Sequence, residues 1–523
     1  MQTLVQEDER VSLQARLDSG KTQVERNRLG QFSTPYALAK EIVEFGVALL
    51  KGDRPLRFLD PAFGTGSFFS ALLRTVPSDM VEAAKGFEID AHYGEPARQL
   101  WRDRLLDLQL ADFTESDAPD KESDRFNLLI CNPPYVRHHH IGERDKIRLQ
   151  DTSEMTCGVR IAGLAGFYCY FLCLSHPWMQ RGAIAGWLIP SEFMDVNYGE
   201  AVKRYLLNKV TLLRIHRFDP VDMQFDDALV SSTVVWLRND LPPDRHEVMF
   251  TFGGKLSQPK VLRTVPVREL RKEPKWTRFP VLEAREGIVR YRLSDLFAIK
   301  RGIATGDNKF FILSKDEINA HGLPLEFFRP ILPSPRFVPD DEVKSDKDGI
   351  PILDRQVFLL DCRLPEEAVR ERLPRLWAYF QGGKGTVSKG YLCQSRKVWY
   401  FQEERAPAPI LCTYLGRSDS RNGRPFRFIL NRSRAIAANV YLLLYPKPML
   451  ARAMSEDRSL LERIWKALNS LPTTSLLGEG RVYGGGLHKL EPRELGNVDA
   501  TPIVGILPDL RSHSKPIQSS LFD

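Results

Sequence analysis

Four short apolar runs in the first 131 residues each end in or beside a polar turn, and this pattern constrains the fold more than any other feature of the chain. Residues 56–59 run into Asp60, residues 85–89 carry Glu88 near their tip, residues 107–111 run into Asp112, and residues 126–131 run into Asn132. Helix-like stretches at 68–73, 97–105 and 167–179 separate such runs, and further runs at 183–189, 210–215 and 231–237 continue the series. Strands that alternate with helices must return in the same direction, which yields parallel crossovers. The expected fold is therefore α/β, with a doubly wound, mostly parallel seven-stranded Rossmann-like sheet whose ligand lies at the carboxyl ends of the strands.

The residues at those strand ends carry the chemistry. Asp60-Pro61-Ala62-Phe63-Gly64-Thr65-Gly66-Ser67-Phe68 leaves the first strand and opens a helix. Its glycines permit a tight turn and close approach of a ligand, while the helix start favours a carboxylate. Position 69 is Phe, so the third glycine of a dinucleotide fingerprint is missing. An acid beside such a turn suits a ligand that carries both an amine and a carboxylate, as the methionyl tail of S-adenosylmethionine does. Glu88 occupies the place of a ribose-binding acid, and Asp112-Phe113 offers an acceptor beside an aromatic face. The fourth end is Asn132-Pro133-Pro134-Tyr135. Its prolines fix φ and remove two backbone donors, leaving carbonyl oxygens to accept. Asn132 adds a side-chain acceptor, and Tyr135 is read as an exposed stacking face. Two acceptors that take both hydrogens of a ring-conjugated amine draw its lone pair out of the ring, which suits methyl transfer onto that nitrogen.

Beyond Leu241-Pro242-Pro243-Asp244, read as a linker, the pattern becomes irregular, and the acidic stretch 338–350 is expected to form an exposed loop. The charge divides with it. Residues 1–240 hold 28 Lys/Arg and 34 Asp/Glu, whereas 241–523 hold 46 and 33, an excess that suits a polyanion. No apolar run reaches the length of a membrane span. Seven scattered cysteines without a C-x-x-C pair suggest reduced thiols in a cytoplasm and no metal centre.

Together with Gln31-Phe32-Ser33-Thr34-Pro35 upstream, the segments Asp60 to Phe68, Phe87-Glu88-Ile89-Asp90, Ala111-Asp112-Phe113 and Asn132 to Tyr135 resemble the gamma-class adenine-N6 DNA methyltransferases of bacterial restriction–modification systems. The resemblance implies a catalytic domain over residues 1–245 with S-adenosylmethionine as cofactor, and a mixed α+β DNA target-recognition domain over 246–523. It implies that Thr34 and Pro35 line the methionine end of the cofactor site and that Asp60, Ala62 and Gly64 contact its amine and carboxylate. Glu88 would bind the ribose and Asp112 the cofactor adenine, between Ile89 and Phe113. Asn132, beside the cofactor, and Pro133 would hold the target amine; Tyr135 would stack on the flipped base, with Phe225 on its other face. The implied partners are double-stranded DNA and, as one option, a separate cognate endonuclease. A cytoplasmic monomer without membrane association is expected. With few residues before the cofactor region, no N-terminal nuclease is expected.

Two later segments, Arg301 to Phe311 and Tyr483 to Leu490, resemble parts of the recognition domains of that class and read as glycine-rich turns flanked by cations. Segments 396–400 and 417–434 interleave Arg with aromatics, and His138-His139-His140 follows the Asn-Pro-Pro-Tyr corner. The rival readings are methylation of protein glutamine or of structured RNA, which the Phe-x-Thr-Pro block disfavours, and a non-catalytic DNA-binding subunit.

Overall fold

The computed structural model describes residues 2–50, 54–219, 232–279, 291–417, 424–483 and 486–507. Three helices come first, α1 (Gln2–Ser19), α2 (Gln23–Leu29) and α3 (Tyr36–Leu49). Thr22 and Glu25 form a capping box that starts α2, and Gly30 at φ 66° ends it. The alternation then begins with β1 (Leu56–Asp60), α4 (Ser67–Thr75), β2 (Val81–Phe87), α5 (Ala91–Leu100), β3 (Asp107–Gln109) and β4 (Phe126–Cys131). It continues through α6 (Glu143–Cys157), α7 (Phe167–Leu174), β5 (Met179–Pro190), α8 (Glu200–Asn208), β6 (Thr211–Arg217) and β7 (Ser232–Arg238).

Expected and observed bounds differ where local capping outweighs hydrophobicity. The second strand stops at Phe87, because Asp90 caps the next helix by accepting from the His92 amide (3.0 Å). That helix consequently occupies 91–100 and not 97–105. Pro177 lies in the turn between α7 and β5, so the helix ends at Leu174 and the strand already begins at Met179.

The sheet has nine strands in the order β3-β2-β1-β4-β5-β7-β6-β8-β9, two more than the seven expected. The added pair is β8 (Glu247–Gly254) and β9 (Pro259–Pro266); β8 lies parallel to β6 and antiparallel to β9. Strands β3, β2, β1, β4 and β5 are mutually parallel, and β7 is antiparallel to both its neighbours. Helices cover both faces. Along β4, Leu129 and Cys131 enter one apolar core with α6, α7 and α8, while Leu128 and Ile130 enter another with α3 and α4. A strand buried on both faces reads as a continuous apolar run, as residues 126–131 do.

Two compact units result, Met1–Arg285 with Tyr483–Gly486, and Glu286–Val482 with Leu487–Asp523. Residues 241–244 thus join strands of one sheet and do not separate domains, and the boundary expected at 245 falls near 285. With this division the first unit holds 38 Lys/Arg against 39 Asp/Glu and the second 36 against 28, so the basic excess of the second unit is smaller than residues 241–523 suggest.

The second unit is mixed α+β. One sheet orders strands Phe297–Arg301, Tyr441–Pro446, Ile410–Thr413, Phe428–Asn431 and Glu342–Val343, and another orders Ile312–Ser314, Val357–Leu360, Phe328–Leu332 and Ile436–Ala437. The stretch 338–350 is not a free loop. Glu342 and Val343 pair with Leu430 and Asn431, Val343 is buried, and Asp341 and Glu342 bind Arg427 and Arg432. All seven cysteines are buried and unpaired. No described helix is long and apolar enough to cross a membrane.

Candidate active-site cleft

At the carboxyl ends of β1, β2, β3 and β4, in the first unit, lies a cleft of about 200 Å³. Among its lining residues are Ala62, Gly64, Glu88, Ile89, Asp112, Phe113 and Asn132, so seven residues chosen from sequence line one cleft. The floor is aromatic, with Phe87 and Phe113 edge to face at 5.3 Å and Phe113 against Phe171 at 5.4 Å.

Each acid has a defined partner. Glu88 Oε2 accepts from the Gly64 amide (2.9 Å) and Oε1 from the Asp90 amide (2.8 Å), which ties the glycine turn to the tip of β2. Burial raises the Glu88 pKa, and the two amides oppose the rise. Asp112 Oδ1 accepts from the amide and hydroxyl of Thr114, both at 2.8 Å. Ile89 is 67% exposed and Phe113 is buried, so the cleft is lined by both an open aliphatic edge and a buried ring.

Asp60 lies beneath the cleft wall, 1% exposed, and accepts from the Ala62 amide (3.1 Å). Burial pushes its pKa up to about 8; the amide of Ala62 acts against the shift and the Glu88 charge adds to it. The folded protein therefore holds a proton that an unfolded carboxyl loses near pH 4, and stability present at low pH is lost as pH rises through about 8. Asp60→Asn keeps an acceptor for Ala62 but does not titrate. Thermal midpoints are expected to fall less between pH 5 and 8 in the variant than in the parent, with the two proteins closest at pH 5. Parallel pH profiles would exclude Asp60 as the titrating group.

The Asn-Pro-Pro-Tyr corner is fixed from below. Asn132 Nδ2 donates to the Phe32 carbonyl (2.9 Å) and to Thr34 Oγ1 (3.1 Å). Because a carbonyl only accepts, this pairing sets the amide's orientation. Asn132 Oδ1 is left buried without a hydrogen-bond partner, on a side chain that lines the cleft. Gly30 backs the corner, its carbonyl accepting from the Tyr135 amide (3.3 Å).

Other residues chosen from sequence stand elsewhere. Thr34 is buried behind Asn132, and Pro35 opens α3; neither lines the cleft. Pro133 is buried, and Pro134 takes the lining position. Tyr135 is not an exposed face. It is 9% exposed, packs 5.8 Å from Phe32, and donates its hydroxyl to the Leu188 carbonyl (3.1 Å), which pins the corner to β5. Phe225 lies outside the described residues. The triple histidine forms a short turn two residues after Val136, a lining residue.

Sequence reasoning missed the N-terminal wall. Gln14 and Asp18 of α1 line the cleft, as does Tyr93, whose hydroxyl donates to Asp18 (2.8 Å). Thr65 Oγ1 donates to Gln14 (2.6 Å) and accepts from Arg10 (3.1 Å), and Arg10 forms a buried ion pair with Glu7 at 2.8 Å. The available signal was the Glu7/Arg10 and Leu13/Leu17 spacing, one helical turn each.

Comparison with known proteins agrees with this arrangement. The Eco57I restriction-modification methylase family matches residues 80–223, and the family of the Type II methyltransferase M.Eco57I C-terminal domain matches residues 280–518. The chain belongs to the Eco57I-type restriction–modification methylases. The methylase is 28% identical over 478 residues to the Type II methyltransferase M.XamI of Xanthomonas campestris pv. amaranthicola, covering 90% of this chain and 84% of that one. It is 26% identical over 493 residues to the Type II methyltransferase M.AccI of Acinetobacter calcoaceticus, with 90% and 85% covered. Its fold resembles that of the Type IIL restriction-modification enzyme MmeI, seen in complex with DNA, at a TM-score of 0.53 and 12% identity, over 92% of this chain and 65% of the other. The second of the two family matches starts at residue 280, beside the observed unit boundary and not at 245.

Proposed function

We propose that this methylase transfers the methyl group of S-adenosylmethionine to N6 of adenine at a specific site in duplex DNA, protecting its bacterial host in a restriction–modification system. The target base would be turned out of the stack into the cleft. One observation carries the reading, the buried and unpartnered Oδ1 of Asn132 in the cleft wall. A buried acceptor without a partner is costly, and a hydrogen of an exocyclic amine would satisfy it.

The residues fit the cofactor by their chemistry. A ligand with a sulfonium, an ammonium, a ribose diol and an adenine meets acids at Glu88 and Asp112, an open aliphatic edge at Ile89 and a ring at Phe113. Glu88 would hold the ribose and Asp112 the adenine amine, with the Asp60–Gly64 turn toward the amino-acid end. When bound, S-adenosylmethionine supplies an electrophilic methyl group. The chain's own contribution is to orient the acceptor: Thr34 and Phe32 hold Asn132, whose Oδ1 takes one amine hydrogen while the Pro133 carbonyl takes the other. The nitrogen lone pair then leaves conjugation. The barrier falls through positioning and preorganised polar contacts, and no covalent intermediate with the protein is invoked. Thr34 acts here through Asn132, and Tyr135 by anchoring the corner.

The decisive test is sequencing of modified bases in DNA from cells that express the chain, with N6-methyladenine at one short sequence as the expected result. N4-methylcytosine at the site would overturn the choice of base, and unmodified DNA the reading as a whole. The cofactor assignment has its own test. Asp112→Ala should weaken S-adenosylmethionine binding by about 1–3 kcal/mol through loss of an acceptor, measured by calorimetry on the isolated protein. Unchanged affinity would remove Asp112 from the site.

A further inference from the structure

On sequence, Arg301-Gly302-Ile303-Ala304-Thr305-Gly306-Asp307 offers its backbone to phosphates. In the fold its glycines face protein. A Cβ on Gly302 would lie 2.1 Å from the Ala438 carbonyl oxygen, and one on Gly306, at φ 91°, would lie 2.7 Å from Cys393 Sγ. The Ile303 amide donates to the Ala437 carbonyl, and the Asn439 amide to the Ile303 carbonyl, both at 2.9 Å. The segment is a socket, and it seats the turn formed by residues 387–397. Cys393 is buried there, and Arg396 Nη2 donates to the Ala304 carbonyl (2.8 Å) with its guanidinium 5.9 Å from the Phe311 ring centre.

The outer side of this pinned turn is unlike the rest of the surface. Tyr391 is 84% exposed, the most exposed of the large hydrophobic side chains among the described residues, and Leu392 beside it is 41% exposed. Residues 384–402 contain Lys384, Lys389, Arg396 and Lys397 and no acid. Lys389 and Lys397 are exposed, and neither has an ion-pair partner among the described residues. Arg427 and Arg432, in the segment that on sequence interleaves Arg with aromatics, are held instead by Asp341, Glu342 and Glu462.

A flat, exposed ring on a fixed turn, with unpaired lysines before and after it in sequence and acids only beyond the segment, matches a nucleic acid better than a protein surface: the ring stacks on a base or sugar while the cations meet phosphates. We propose that the 387–397 turn is a DNA-contacting element in which Tyr391 packs against the bases and Lys389 and Lys397 engage the backbone on either side. The proposal rests on the reading of the chain as a DNA methyltransferase. Residues 302–306 position this element.

The test uses the full-length protein, a labelled duplex carrying the sequence that the parent methylates, and a scrambled duplex. Tyr391→Ala should weaken binding to the first duplex tenfold or more, as loss of one stacking contact does, while Tyr391→Phe stays within about threefold. The double variant Lys389→Ala/Lys397→Ala should weaken binding to both duplexes and lower the salt-dependence slope by about 2. Thermal midpoints and cofactor affinity should not change, since these side chains are exposed. If Tyr391→Ala binds both duplexes as the parent does, or changes only self-association in sedimentation, the turn is not a DNA contact. A loss of binding accompanied by a lower thermal midpoint would assign Tyr391 a structural role and overturn the proposal equally. A parent chain that binds no duplex removes the underlying reading, and the proposal with it.

Discussion

Asn132→Ala should slow methyl transfer to duplex DNA by roughly two to four orders of magnitude in a single turnover, the range expected when an oriented polar contact is lost at a reacting centre. The side chain that would be removed lines the cleft, is held by the Phe32 carbonyl and Thr34 hydroxyl, and carries a buried, unpartnered oxygen. That oxygen matters most as the target nitrogen becomes tetrahedral, so the loss should fall on turnover and not on ground-state binding. DNA and cofactor affinities should remain within about tenfold of the parent. Thr34→Val, which removes one hydrogen-bond partner of Nδ2 and leaves the other, should give a smaller loss with the same signature. Parental rates in Asn132→Ala would make the corner a structural turn, and the proposed chemistry would fail with it.

Gly30→Ala, by contrast, should damage the corner without removing any of its polar groups. Gly30 has φ 66°, a conformation that costs an L-residue about 1–2 kcal/mol. Its added Cβ would lie 2.3 Å from the Tyr135 amide nitrogen and 2.9 Å from the Pro134 carbonyl carbon, both backbone atoms that do not rotate away. The Asn-Pro-Pro-Tyr corner must therefore shift, and Asn132 with it. The expected result is a loss of about 2 kcal/mol or more in urea unfolding together with a fall in single-turnover rate of at least about tenfold, since small displacements of catalytic groups are expensive. A variant as stable and as active as the parent would show that α2 and the corner move independently.

The strand-end motifs were legible because each sets a polar residue directly after a short apolar run. Asp60, Glu88, Asp112 and Asn132 follow this rule, and the four strands they end or follow lie side by side in the sheet as β3-β2-β1-β4. Tyr135 was misread because an aromatic after two prolines shows no sign in sequence of whether its ring turns outward or back onto β5. The eighth and ninth strands were missed for a different reason. Pro242-Pro243 is an ordinary connection between β7 and β8, yet it looks like a linker, and Val248 and Phe250 alternate into the core only once β6 is beside them. The wall built by α1 was hidden because its contacts with the site are polar and long-range, from Gln14 and Arg10 to Thr65. Such pairings follow from tertiary placement and leave no periodic trace.

The β8–β9 hairpin bears on how new specificities could be engineered. An exchange of C-terminal modules between relatives, cut at the Pro242-Pro243 connection, would take the hairpin away with the module. Strand β6 would then lose its β8 neighbour and present an unpaired edge, an invitation to aggregation. A graft joined within residues 280–290 keeps all nine strands with the cleft they support, and chimeras built at that junction should express as soluble enzymes where those cut at 241–245 precipitate.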